Sequence, residues 1–148
     1  MRLLGGVMAA IPDTPRPIAT VLAWPWLWPA ARLALVSAYL IGGVQKLTDF
    51  PGAIAEQAHF GLQPAALWAV AAIAVELIGS VLVVANRFVW LGAGALGVLT
   101  SVAMLTANDF WHMEGHDRFM ALNSFFEHLG LIAGLVLVSI MSWRARRA

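Results

Sequence analysis

An all-α integral membrane four-helix bundle is the fold this sequence predicts, on three observations. The first is composition: 61% of the 148 residues are AVILMFWYC, only 11% are Asp, Glu, Lys or Arg, and the mean hydropathy is +0.80. A soluble domain is roughly half apolar and about a quarter charged, so this chain carries more apolar side chains than a core of its size could hide from water. The second is run length: Ala30 to Lys46, Pro64 to Ala85, Phe88 to Ala107 and Phe125 to Trp143 each reach the roughly 17–20 residues that cross a bilayer as a helix. The third is charge placement, because four crossings put both ends of the chain on one side, and seven of the nine basic residues fall there (Arg2, Arg16, Arg32, Arg87, Arg144, Arg146, Arg147). That excess predicts cytoplasmic termini in an inner (plasma) membrane.

The elements follow in order. Residues 1–29 read as a Pro/Trp-rich interfacial segment and 30–148 as the four-helix transmembrane domain. Behind Arg2, apolar residues at 3, 4, 7, 8 and 11 have helical spacing, which predicts a short helix lying on the membrane surface. Pro12, Pro15, Pro17, Pro25 and Pro29 argue against a continuous helix after it, and Trp24, Trp26 and Trp28 form an aromatic belt. Between the second and third spans only Asn86-Arg87 remains, enough for one turn, so those spans form an antiparallel hairpin.

Small and polar residues share one face of each span, as close packing in lipid requires. The faces are Arg32, Tyr39, Gly42 and Lys46; Ala65, Ala69, Ala72, Glu76 and Ser80; Ala93, Gly97 and Ser101; and Asn123, Glu127, Gly130 and Gly134.

Composition also narrows the chemistry. Without cysteine there is no disulfide scaffold, iron–sulfur cluster, thiolate zinc site or c-type haem attachment, and a net charge of +1 leaves no basic surface for nucleic acid. Polar function therefore rests on a few ionisable residues on the outer half, where six of eight acids and all four histidines fall. Glu76 is the sharpest of them: twelve residues into its helix it lies about 18 Å along the axis, near the bilayer middle. An acid at that depth is expensive, so it is expected to face the interior as a protonated proton relay or hydrogen-bond partner, with no base level with it. Lys46 ends the first span, with Glu127 at similar depth as its expected partner across an outer vestibule; Tyr39 lies about 10 Å inward of Lys46. His112 and His116 have i,i+4 spacing, but Gly115 between them argues against a rigid metal-binding pair, and His128 alone cannot make a bis-histidine haem site. Glu76, Lys46 and His128 are therefore the candidate catalytic residues, and Tyr39, His112, Glu127 and Asn123 the candidate ligand-binding ones; no metal or haem is predicted.

The runs GGVQKLTDFPGAIAEQAHFGLQP, AIAVELIGSVLVVANR and NSFFEHLGLIAGLVLV resemble the DoxX family of small four-helix bacterial membrane proteins. Gly42, Gly43, Lys46, Leu47, Gly61, Pro64, Glu76, Gly79, Phe125 and Phe126 carry the pattern, from about Arg32 to Val138. Many relatives have Lys-Asn where this chain has Glu127-His128. The resemblance implies a membrane subunit tied to quinone or redox-stress pathways, since the namesake relatives belong to a thiosulfate:quinone oxidoreductase. Two readings stand: a quinone-linked redox subunit, or a non-catalytic anchor of a larger respiratory or redox complex. Implied partners are membrane lipid, quinone or quinol, and other subunits or further copies of the chain.

Overall fold

The computed structural model describes residues 14–147. The surface helix expected over the first eleven residues lies outside them. The elements are α1 (Arg16–Leu22), α2 (Leu27–Thr48), α3 (Phe50–His59), α4 (Ala65–Val84), α5 (Val89–Ala107), a 3-10 turn (Phe110–His112) and α6 (Gly115–Ala145), and no strand occurs among the described residues. The chain divides after Ala31, so α1 and the first residues of α2 form one compact unit and everything from Arg32 onward the other. In the first unit Pro15 and Pro17 bracket the start of α1, and Trp24 and Trp26 are exposed.

Four helices, α2, α4, α5 and α6, are long and apolar enough to span a bilayer, and the protein is a multi-pass membrane protein. Their outward faces are as apolar as their inward ones: Leu67, Trp90 and Val98 are each more than 60% exposed. Such faces are stable only against lipid.

Packing follows small residues, and the contact points set the register. Gly43 of α2 crosses α4 at Leu77, where a Cβ on Gly43 would stand 2.8 Å from Leu77 Cδ2. From that crossing α4 runs about 18 Å to its start at Ala65, whereas α2 has only about 8 Å left before Thr48. α2 thus stops short inside the bundle, and α3 climbs beside α4 to make up the difference. The sequence signals this helix in hindsight: Asp49 accepts the Gly52 N–H at 3.0 Å as an N-cap, Pro51 occupies the first turn, and Ala53 and Gln57 are buried.

α4 and α5 form the expected hairpin. α4 ends in a Schellman turn, with Arg87 N–H donating to Leu82 O at 3.1 Å, Asn86 N–H to Val83 O at 3.2 Å, and Asn86 in the left-handed region at φ 56°. The two helices then touch backbone to backbone: a Cβ on Gly92 would lie 2.6 Å from Gly79 O. The α4 face holds as expected, with Ala65, Ala69, Ala72, Glu76 and Ser80 all buried.

α6 departs from expectation in start and in phase. It begins ten residues before Phe125, and its 31 residues measure about 46 Å, longer than a hydrocarbon core of about 30 Å. Its buried positions are Ala121, Leu135, Val138 and Ser142, while Gly130 has open space around it. The helix is thus turned by about one residue from the Asn123–Glu127–Gly130–Gly134 face, bringing Ser124 and His128 inward. On α5 the buried stripe is likewise Val89, Gly92, Ala93, Leu96, Thr100 and Met104, with Gly97 and Ser101 on its flank.

Candidate functional site

Because α2 stops short, Lys46 ends at the depth of Glu76, and its Nζ lies 3.0 Å from Glu76 Oε1. The expectation that no base is level with Glu76 is therefore corrected: it assumed α2 and α4 end together, and they do not. The same ammonium lies 4.0 Å from Glu56 Oε2 of α3. Exposure of the three side chains rises along that line, from 10% for Glu76 to 19% for Lys46 and 46% for Glu56. Gly42, one turn before Lys46, lies against the pair: a Cβ there would sit 3.6 Å from both Glu76 oxygens and from Lys46 Nζ. Glu76 Oε2 is buried without a hydrogen-bond partner.

These groups form one wall of a chamber of about 250 Å³ between α2, α3, α4, α5 and α6. Phe60, Leu62, Trp68 and Leu99 make it apolar, and Gln57, Asn108, Ser124 and His128 add polar atoms. His128 Nδ1 is 2.6 Å from Ser124 O. A carbonyl oxygen only accepts, so Nδ1 carries the hydrogen and Nε2 of the neutral ring is an acceptor. The chamber thus holds an ammonium donor, an unpartnered carboxyl oxygen and an imidazole acceptor among aromatic walls. Small-molecule sites have this makeup, with apolar lining and a few convergent polar groups.

The structure brings Lys46, Glu76 and His128 to one chamber and leaves the other named residues outside its walls. Tyr39 is committed elsewhere: its hydroxyl is 2.6 Å from Thr100 Oγ1, and Thr100 Oγ1 already donates to Leu96 O at 2.7 Å, so Tyr39 is the donor in a tie between α2 and α5. Glu127 and Asn123 are exposed on α6, and the ion pair expected between Lys46 and Glu127 is not formed, because the turn of α6 carries Glu127 away. His112 is 75% exposed and lies 3.4 Å from Asp109 Oδ2. No group of three or more His, Asp or Glu side chains among the described residues is placed to hold a metal ion. Sequence reasoning missed Trp68, Gln57, Asn108 and Ser124, and passed over Glu56; the Asp49-Phe-Pro cap of α3 was the signal for Glu56 and Gln57, one turn apart from Ala53 on that helix.

The fold and site together define a small polytopic membrane bundle built around a mid-helix ion pair beside a small chamber. The DoxX family pattern matches residues 27–109, more than half of the chain, and the protein belongs to the DoxX family. No curated protein and no solved structure matches it. The matched stretch contains Lys46, Glu56, Trp68 and Glu76 and ends before α6, so Ser124 and His128 come from outside it.

Proposed function

We propose that the protein is the quinone-binding membrane subunit of a redox system, taking the head group of a quinone or quinol into the chamber. The observation that carries this reading is the meeting of Lys46, Glu76 and His128 with Trp68 and Phe60 around about 250 Å³. That volume sits below the ~300–1,000 Å³ of drug-sized sites and suits a single substituted ring. Quinone chemistry needs a donor to each carbonyl, an acceptor for each hydroxyl, and apolar cover for the ring. Lys46 Nζ has N–H groups beyond the one directed at Glu76 Oε1, and Glu76 Oε2 and His128 Nε2 are free to accept from quinol hydroxyls. A quinol that gives up two electrons and two protons becomes the quinone, so Glu76 and His128 serve as the proton acceptors and the electrons pass to a partner subunit. The membrane anchor reading draws on the start of α6, where Phe119 and Met120 are exposed, as is Trp111 of the preceding 3-10 turn.

The basic-residue asymmetry supports an inner membrane orientation with Arg87 and both termini cytoplasmic and the chamber toward the outer side. Single cysteines at Arg87 and His116 in this cysteine-free chain are then labelled from opposite sides of intact cells. The binding reading is tested by titrating a short-chain quinone into nanodisc-embedded protein and following tryptophan fluorescence. Saturable quenching that weakens at least tenfold in Trp68→Leu and in Lys46→Met supports it; quenching without saturation, or unchanged in both variants, overturns it.

A further inference from the structure

Beside the chamber, on the other flank of the ion pair, lies a second cavity: an open groove of about 270 Å³ between α2 and α3. Lys46 and Glu56 are walls of both spaces. Gly42, a wall of the groove, lies against the Glu76 carboxyl: a Cβ there would stand 3.6 Å from both of its oxygens. The groove is polar, with Gln45 and Asp49 alongside Glu56. A buried carboxyl, a half-buried ammonium and an exposed carboxylate thus form a line of 3.0 Å and 4.0 Å steps that leads to water.

We propose that this groove is the proton port of the chamber, with Glu56 the group that exchanges protons with water and Lys46 the link between Glu56 and Glu76. The inference rests on the quinone reading and adds the route that reading lacks. In the direction of quinol oxidation, Glu76 Oε2 accepts a proton from a quinol hydroxyl. Lys46 Nζ gives a proton to a Glu56 oxygen and regains one from Glu76, and Glu56 releases its proton to the groove. One proton has then moved from chamber to water, and all three side chains are as they began. The paired electrons leave separately to a protein-borne acceptor. Asp49 and Glu56 are the titratable groups facing Lys46 from the groove, and Glu76 and His128 those facing it from the chamber. Charge in the low-dielectric bundle is costly, so a proton crosses it fastest along groups that already compensate one another.

The test is electrochemical reduction of a short-chain quinone bound to nanodisc-embedded full-length protein, with proton uptake read by a pH dye and carboxyl bands by infrared difference spectroscopy. Glu56→Gln, a substitution at a largely exposed site, is expected to slow uptake at least tenfold when measured at saturating quinone, where every chamber is filled. It should also remove one carboxyl band, and Glu56→Asp should restore most of the rate. Glu114→Gln, an exposed position outside both cavities, controls for surface charge. Quinone binding with unchanged uptake in Glu56→Gln overturns the port alone. Absence of quinone binding by the unsubstituted protein overturns the functional reading and the port with it.

Discussion

Lys46→Met removes the cation that lies within 4.0 Å of both Glu76 and Glu56, the only one to do so among the described residues, and leaves the two carboxyl groups facing a thioether. At 3.0 Å, and with an effective dielectric constant near 20, the Lys46–Glu76 attraction is about 5.5 kcal/mol before desolvation is subtracted. Removing one partner of a buried pair typically costs about 3–5 kcal/mol, and the 19% exposure of Lys46 places this site at the lower end, ~3 kcal/mol. Glu76→Gln should cost less, ~1–2 kcal/mol, because Lys46 keeps Glu56 and the amide oxygen still accepts from Nζ. The double variant should be little worse than Lys46→Met, giving a coupling of about 1 kcal/mol. Unfolding in mixed dodecylmaltoside–SDS micelles, followed by tryptophan fluorescence, measures all four corners of the cycle. Additivity within about 0.5 kcal/mol would refute the reasoning, since residues in one ion pair must couple.

Gly92→Ala places a methyl group 2.6 Å from Gly79 O, a backbone atom that cannot swing aside, so α4 and α5 must part; a loss of about 1–3 kcal/mol in the same unfolding assay is expected. Tyr39→Phe breaks the bond to Thr100 but leaves Thr100 bonded to Leu96 O, and should cost only about 0.6–1.5 kcal/mol with quinone binding retained. Asp49→Ala removes the cap of α3, worth about 1 kcal/mol, and should speed hydrogen exchange at Gly52 and Ala53 ahead of any residue of α4.

Hydropathy made the four crossings legible, because a helix that crosses lipid must be long and apolar. The α4 face was legible too, since Ala65, Ala69, Ala72, Glu76 and Ser80 are spaced to fall on one stripe whatever the neighbours do. Register between helices was not, and the Lys46–Glu76 pair is a matter of register: it depends on Gly43 crossing α4 at Leu77, a contact between residues 34 positions apart that no single-helix pattern encodes. The phase of α6 misled for a related reason. Gly130 and Gly134 look like a helix-packing pair, yet Gly130 meets nothing and Gly134 faces Leu35, while the inward stripe runs one residue on through Ala121, Ser124, His128 and Leu135. That one-residue turn exchanges Glu127 for His128 at the chamber wall. α3 escaped notice because ten residues are too few to show in a hydropathy reading, although its cap is written in Asp49-Phe-Pro.

The central claim is that the chamber between α3 and α6 is where a quinone head group sits, and photoaffinity labelling tests it most directly. An azidoquinone irradiated on nanodisc-embedded protein, with the adducts mapped by mass spectrometry, is predicted to modify Trp68, Phe60 or His128. The labelling should be lost when unlabelled quinone is in excess. Labelling that excess quinone does not suppress, or that falls instead along the apolar groove of Trp90, Val98, Leu105 and Val136 between α5 and α6, would contradict it.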